Sequence, residues 1–326
     1  MTSRRKFLGA LGTGLLAPQA VLGQDSHSRT SRWLSFLRSH EVAEAPYHPD
    51  PHSWDNATIT ATWIGHATVL INFFGTWIIT DPVFSERVGI NLLGLTTLGP
   101  KRLYTPALRV EELPPIDLIL LSHGHMDHLD IPTLEKFGGD IPIVMAKNTA
   151  DILENTPRKE VIELDWGEQT TVQGIAIEAI EVKHFGWRFP WENDRSKGFW
   201  RGRSYNAYLL SKNGHHIVFG GDTAYHENFK RIGERNIIVD LAIMPIGTYN
   251  PWLRNHANPE QAIAMADQMN ARAILPIHWN TFIMSDEPVE EPIERFKAAL
   301  ALQPDRIALE AIGQTWVMPL DTAQRG

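Results

Sequence analysis

Cysteine is absent from the 326-residue sequence. This absence excludes disulfide bonds, thiolate metal ligands and a lipid anchor on cysteine. It also suits an oxidising compartment, where a free thiol would be a liability. Metal-binding chemistry in this chain is therefore left to imidazole nitrogens and carboxylate oxygens.

Positive charge is also scarce, because 30 lysines and arginines face 38 aspartates and glutamates, for a formal net charge of −8. Loss of an N-terminal leader that carries Arg4, Arg5 and Lys6 would make the remaining chain more acidic still. Such a surface disfavours nucleic acid as a partner and gives no general attraction to anionic lipid. Any binding of a phosphate group must be local.

The N-terminus lacks a hydrophobic run long enough to span a bilayer. Ser3-Arg4-Arg5-Lys6-Phe7-Leu8 precedes a mildly apolar, glycine-diluted stretch at residues 9–16. This pattern is typical of a twin-arginine signal rather than of a transmembrane helix. We predict a signal peptide at residues 1–23 and export of the folded protein to the periplasm by the twin-arginine machinery.

Beyond the leader, residues 24–56 are polar and punctuated by proline, and they are predicted to form an N-terminal segment. Residues 57–326 show no linker, and they are predicted to form one domain with a large core. Their pattern is several short strands, then helices, then the same again, closing with a strand at residues 306–311. This order predicts an α+β fold of two packed mixed sheets with helices on the outer faces.

The chemistry is concentrated in residues 118–130, where an apolar strand ends in His-Gly-His-Met-Asp-His. His123 and His125 alternate with a glycine, so both imidazoles can point the same way in extended chain. Asp127 and His128 can face the same point if the chain turns. Four such ligands suit zinc, but they cannot all close round one ion in good tetrahedral geometry. Two metal ions with additional ligands from elsewhere are the easier solution.

Three further residues can supply those ligands. His184, Asp222 and His278 each stand at or just past the end of a predicted apolar strand. Loops at one edge of stacked sheets can bring such strand ends together. The sequence therefore predicts a two-metal site built from separate stretches of the chain.

The sequence resembles the metallo-β-lactamase superfamily, and within it the branch of N-acylphosphatidylethanolamine-hydrolysing phospholipase D and its bacterial relatives. Besides the histidine motif, the resemblance rests on Gly65-His66-Ala67-Thr68, Thr80-Asp81-Pro82, Gly99-Pro100-Lys101-Arg102, Gly221-Asp222-Thr223, Pro245-Ile246-Gly247-Thr248-Tyr249 and Pro276-Ile277-His278-Trp279. These motifs occur in the order expected for that branch. The resemblance implies the αββα sandwich fold.

The resemblance also implies how the seven ligands divide. One metal would be held by His123, His125 and His184, the other by Asp127, His128 and His278, and Asp222 would bridge them. Zinc fits this ligand set best, and manganese and iron tolerate it. Two cations with water between them are what hydrolysis needs.

Other residues are predicted to act around the metals. Asp127 and His256 are the predicted catalytic residues, with His256 stabilising a phosphoryl oxygen or protonating the leaving group. His66 has two interpretations, a hydrogen-bonding partner of a metal ligand or a histidine with no part in the site. For His256 the alternative to a catalytic role is a histidine that only supports the loop before a helix. An aromatic and basic loop at residues 185–203 suits a substrate with an apolar part and an anionic head. Its Trp187 and Arg188, together with Tyr249, are predicted to bind substrate, although packing of the loop explains the tryptophan equally well.

The leading functional hypothesis is an exported two-metal phosphodiesterase that acts on N-acylphosphatidylethanolamine-like phospholipids. A lactonase of the ascorbate-6-phosphate lactonase type and a non-catalytic metal-binding scaffold remain alternatives. The expected partners are a phospholipid or another small ester, the twin-arginine machinery and, peripherally, the membrane. The sequence leaves the oligomeric state open.

Overall fold

A computed structural model of the protein describes residues 40–319 except 93–95, 157 and 199. The predicted signal peptide at residues 1–23 lies outside this part of the chain, as do residues 24–39 of the predicted N-terminal segment. The predicted α+β sandwich is confirmed: a seven-stranded and a six-stranded mixed sheet pack face to face, and helices cover their outer faces.

Fifteen strands are present among the described residues. In chain order they are β1 Ile59–Gly65, β2 Thr68–Phe73, β3 Thr76–Thr80, β4 Ile90–Leu92, β5 Thr96–Leu98, β6 Leu118–Leu121, β7 Ile143–Ala146, β8 Val161–Leu164, β9 Gln169–Val172, β10 Ile175–Glu181, β11 Asn206–Lys212, β12 His215–Phe219, β13 Val239–Pro245, β14 Ala271–Ile277 and β15 Thr315–Val317. The first sheet has the order β15-β1-β2-β3-β6-β7-β8 and the second the order β14-β13-β12-β11-β10-β9, while β4 and β5 form a separate hairpin.

The helices of the described residues are short. They are α1 Ile131–Lys136, α2 Lys230–Gly233, α3 Pro259–Gln268 and α4 Glu291–Ala299, with 3₁₀ turns at Pro51–Ser53, Val110–Glu112, Ala150–Leu153, Arg195–Lys197 and Pro304–Arg306. Within this part of the chain no helix combines the length and the apolar character that crossing a bilayer requires. Helix α3 is capped at its N-terminus, because the Asn258 side chain accepts a hydrogen bond from the Gln261 amide and Pro259 occupies the first turn.

The core lies between the two sheets. Strands β1 and β2 are buried at every position, and neither carries a charged residue. Trp63 of β1 stacks on Trp279 with ring centroids 5.2 Å apart, and this contact ties the first sheet to the end of β14. A second apolar cluster forms where Leu134 of α1 packs on β6 and β7.

The sheet topology brings the ends of several strands to one edge. Strands β12, β13 and β14 run parallel, and β10 runs in the same direction because both it and β12 pair antiparallel with β11. At this edge the Asn206 amide donates to the Ser122 carbonyl over 2.9 Å, and His123 pairs with Tyr205. These contacts join the two sheets where β6 of the first sheet ends.

The predicted closing strand at residues 306–311 is wrong. Ile307 makes only an isolated bridge to Ile274, and the closing strand is β15, which pairs with β1 in the other sheet. Gly313 turns the chain between them with φ +86°, and a Cβ there would lie 1.9 Å from the Tyr47 carbonyl oxygen. The three consecutive apolar residues at 307–309 pack against the core without forming a ladder.

Candidate metal centre

The edge described above gathers all the predicted ligands. They are His123, His125, Asp127, His128, His184, Asp222 and His278. The first four follow β6 directly, and the other three follow the ends of β10, β12 and β14. The prediction that separate strand ends converge on one site agrees with this geometry.

The first candidate set consists of His123, His125, His184 and Asp222. One donor atom from each residue lies within 4.8 Å of the others. His125 Nδ1 is 2.7 Å from His123 Nε2 and 3.3 Å from His184 Nε2. His125 therefore turns its Nδ1 toward the set, whereas the other two histidines turn Nε2 toward it.

The second candidate set surrounds Asp127, His128 and His278. Both histidine Nε2 atoms lie 3.5 Å from Asp127 Oδ2. They also lie 3.1 Å and 3.2 Å from Asp222 Oδ2, and that oxygen is 3.7 Å from His184 Nε2 of the first set. Asp222 is thus the residue shared by both sets, which is the bridging position implied by the resemblance.

The pattern of unpaired atoms fits bound cations. Nε2 of His128, Nε2 of His278 and both carboxylate oxygens of Asp222 are buried, and none has a hydrogen-bond partner. Buried polar atoms are normally paired, so a set of converging unpaired nitrogen and oxygen atoms calls for an occupant. The mixed imidazole and carboxylate chemistry suits a divalent metal, with zinc as the best match.

The electrostatics of the metal-free site point the same way. Burial raises the pKa of Asp222 and Asp127, but His128 and its neighbours outweigh it and hold both pKa values well below their usual range. Burial lowers the pKa of the two partner histidines, yet the carboxylates raise that of His128 well above its usual value and that of His278 to about 9. Protons on these imidazoles balance the carboxylates, and a divalent cation would displace them.

A chain of hydrogen bonds behind the ligands centres on Asp81, to which sequence reasoning gave no role. His128 Nδ1 donates to Asp81 Oδ2 over 2.6 Å, and Ser122 Oγ donates to the same oxygen over 2.6 Å. Because the serine hydroxyl gives its proton to the carboxylate, it accepts from His123 Nδ1 at 2.8 Å. Asp81 thereby orients one ligand ring in each set and turns both Nε2 atoms toward the metal sites.

Replacing Asp81 with asparagine should weaken both metal sites. The amide places an N–H donor where a carboxylate oxygen accepts two protons, so the ligand tautomers lose their anchor. We expect metal affinity to fall about 10- to 100-fold, the usual effect of losing a partner of a ligand. Competition with a chromophoric chelator measures this loss. Asp117→Asn is the control, because Asp117 accepts from the Trp77 amide at the opposite end of β6; equal affinity in both variants would contradict the role of Asp81.

Two more of the ligand histidines, His184 and His278, are oriented by their second nitrogen. His184 Nδ1 donates to the Asn255 carbonyl over 2.9 Å, and His278 Nδ1 lies 3.2 Å from Thr248 Oγ1. His66, Asp81, Thr248 and His278 all have positive φ values, between 31° and 64°. Such conformations are rare for residues other than glycine and cluster at functional sites. The surrounding structure therefore holds these four residues in an uncommon backbone conformation next to the metal ligands.

His66 lies in contact with the second set, as one of its two sequence interpretations proposed. Its Nε2 is 2.9 Å from Asp127 Oδ2, and its ring centroid is 4.1 Å from that of His278. Burial, followed by the proximity of His278, lowers the pKa of His66 to about 3, so the imidazole is neutral and donates this bond. The contact orients Asp127.

A cavity of about 500 Å³ opens onto the metal ligands. His125, Asp127 and Asp222 form its floor, and the apolar side chains of Phe185, Trp187, Trp252 and Met284 line its walls. His256 also lines it, with Nδ1 3.7 Å from Asp222 Oδ2. Burial lowers the pKa of His256 well below its usual value, so this imidazole is neutral at pH 7.

The three predicted substrate residues occupy different environments. Trp187 lines the cavity. Arg188 Nη1 donates to the carbonyls of Gly124 and Leu129, each at 2.9 Å, so it braces the metal-ligand turn. The Tyr249 hydroxyl donates to Glu291 over 2.6 Å. Substrate binding by Arg188 and Tyr249 stays a prediction that these contacts do not favour.

The sequence and the fold were compared with those of known proteins, and both comparisons found similar proteins. The sequence model described as beta-lactamase superfamily domain matches residues 76–279. A Mycobacterium tuberculosis protein is 32% identical over 276 residues, 82% of this chain and 70% of the relative. The N-acyl-phosphatidylethanolamine-hydrolyzing phospholipase D 1 of Caenorhabditis elegans is 30% identical over 308 residues, 87% of this chain and 81% of the relative. A metallo hydrolase of the archaeon Ignicoccus hospitalis shares the fold, with TM-score 0.59 and 17% identity over 81% of this chain and all of that chain.

Proposed function

We propose that this protein hydrolyses a phosphodiester bond of a phospholipid. The proposal starts from two findings: the chain belongs to the beta-lactamase superfamily, and it is a metal-dependent hydrolase. The substrate class is that of N-acylphosphatidylethanolamine, cleaved on the head-group side of phosphorus. The similarity to the nematode phospholipase supports this choice. The products are phosphatidic acid and the head-group alcohol.

One observation carries the proposal: an apolar cavity leads directly to a two-metal ligand set. Phe185, Trp187, Trp252 and Met284 can take up acyl chain, while Asp127 and Asp222 mark where the phosphate group would lie. A sugar-like lactone would leave these apolar walls unused. The cavity therefore favours a lipid diester over a polar lactone.

Within this site each residue has a chemical task. The seven ligands named above would hold two divalent ions, which we propose to be zinc, with manganese or iron as substitutes. When bound, the ions lower the pKa of water and neutralise charge on the phosphoryl oxygens. Asp127, oriented by His66, accepts the proton of the attacking water as the new P–O bond forms. His256 donates a hydrogen bond to the alkoxide as the old P–O bond breaks, and the alkoxide then takes up a proton from solvent water to leave as the alcohol.

The test is a substrate panel with the metal-loaded protein. We expect turnover of bis(p-nitrophenyl) phosphate and of N-acylphosphatidylethanolamine in mixed micelles, and its loss after treatment with a chelator. In H₂¹⁸O, mass spectrometry should find the label in phosphatidic acid and not in the alcohol, because water attacks phosphorus.

Two outcomes of this panel would contradict the proposal. Faster turnover of a lactone series than of either diester would favour the lactonase. Absence of metal-dependent turnover on every ester, in protein that holds its metal, would favour the scaffold.

We also propose that the protein acts in the periplasm after twin-arginine export. The Arg4-Arg5 motif and the absence of cysteine support this location. The machinery that exports folded proteins would let metal uptake precede translocation. The proposal includes no nucleic-acid partner, in keeping with the net charge of −8.

A further inference from the structure

Exposed apolar side chains lie on the loops that line the metal cavity, since these loops contribute Trp187, Trp252 and Met284 to its walls. Trp191 and Trp200 are 78% and 71% exposed on the 185–203 loop, and Trp252 and Leu253 are 46% and 49% exposed on the loop before α3. Ile283, at 42%, precedes the cavity residue Met284. These five residues are called the aromatic rim below. Among the described residues the three exposed tryptophans all belong to it.

The rim is held in a fixed relation to the metal site. Buried Asp194 accepts hydrogen bonds from the amides of Trp187 and Ser196, each at 2.6 Å, and so folds the first loop over the cavity. Arg188 ties the same loop to the metal-ligand turn. On the other side, the Ala257 amide donates to the Thr223 carbonyl over 2.7 Å, beside Asp222. Exposure of the rim is thus a property of anchored loops.

The charge of these loops differs from that of the whole chain. Lys197, Arg201 and Arg254 are exposed, and the Arg201 guanidinium lies 4.5 Å from the Trp200 ring centroid. The acids of the first loop are engaged internally, because Glu192 pairs with Arg203 at 2.8 Å and Asp194 is buried. Asp286 is an exposed acid beside the second loop. The loops that bear the rim therefore carry net positive charge on a protein of charge −8.

We propose that the aromatic rim docks the protein onto the surface of a bilayer that contains anionic phospholipid. Tryptophan prefers the region between head groups and acyl chains, and exposed lysine and arginine are attracted to an anionic leaflet. Docking through the rim points the cavity mouth at the membrane, so a lipid substrate can enter without crossing water. The inference rests on the proposed function, since it assumes that the substrate is a membrane lipid.

The test uses the full metal-loaded chain and two substitutions that leave the cavity intact, Trp191→Ser and Trp200→Ser. Sedimentation with phosphatidylglycerol–phosphatidylcholine vesicles measures the partition coefficient. We expect each substitution to weaken binding about tenfold, because the variant no longer buries part of an indole ring in the membrane interface. Lys197→Gln with Arg201→Gln should weaken binding about fivefold per charge, and less in high salt. Turnover of soluble bis(p-nitrophenyl) phosphate should not change, while turnover of vesicle lipid should fall with binding.

Leu302→Ser is the matched control, because Leu302 is 98% exposed and lies in the turn after α4, away from the rim. The proposal would be overturned by unchanged vesicle binding in a variant that carries both tryptophan substitutions. It would also be overturned if Leu302→Ser lost as much binding as that variant. Loss of self-association in the tryptophan variant without loss of vesicle binding would instead assign the rim to a protein contact and would also overturn it. Rim-dependent binding without release of phosphatidic acid would refute the substrate class and leave the docking surface standing.

Discussion

Asp222→Asn should abolish most of the hydrolytic activity, with kcat/KM falling about 10³-fold or more. Asp222 is the residue that both ligand sets share, since its Oδ2 lies 3.1 Å from His128 Nε2 and 3.7 Å from His184 Nε2. When Asp222 loses its charge, Asp127 is the one carboxylate among the seven ligands that remains to balance two divalent ions. Loss of several kcal/mol of metal-based stabilisation accounts for this change, because about 1.4 kcal/mol corresponds to a tenfold rate.

The measurement pairs kcat/KM on bis(p-nitrophenyl) phosphate with metal content by mass spectrometry. We expect the variant to retain fewer than two metal ions per chain at metal concentrations that saturate the parent. Asp240→Asn is the matched control, because Asp240 is also buried in the second sheet but contacts His215, far from the ligands. An Asp222→Asn protein that binds two ions and keeps activity within tenfold of the parent would refute the bridging role.

The strand, the turn and the ligand spacing around residues 118–128 could be predicted because they are local features of the sequence. An apolar β6 followed by alternating histidines needs no distant partner to be recognised. The contacts of Asp81 could not be predicted in the same way, because they form only when β3 pairs beside β6 and places Asp81 next to His128. The feature of the sequence that could have drawn attention to Asp81 is its position at the end of a strand, just before a proline.

The orientation of side chains within a recognised loop was the least predictable feature. Composition placed Arg188 among aromatic residues and suggested an anion-binding role, but its guanidinium donates to the carbonyls of Gly124 and Leu129. The direction that a long side chain takes depends on which carbonyls lie within reach in the folded chain. The closing strand was misplaced for a related reason, because the turn at Gly313 sends the chain to β1 of the first sheet rather than along β14 of the second.

His256→Gln should lower kcat on N-acylphosphatidylethanolamine about 10²- to 10³-fold, the usual effect of losing one hydrogen-bond donor to a developing oxyanion. His256 lines the cavity and is buried beside Asp222, and burial keeps its pKa well below the usual range. Two bound cations would lower this pKa further. The imidazole is therefore neutral, and it acts by donating an N–H hydrogen bond to the departing alkoxide.

This role predicts a dependence on the leaving group. An alkoxide needs the hydrogen bond, whereas p-nitrophenolate leaves readily without it, so the loss on bis(p-nitrophenyl) phosphate should be much smaller. Metal content should equal that of the parent, which separates His256 from the ligands. His226→Gln is the control, because His226 is a largely enclosed histidine that accepts from the Asn228 amide outside the cavity. Equal losses on both substrates, or a drop in bound metal, would mean that His256 supports the metal site rather than the leaving group.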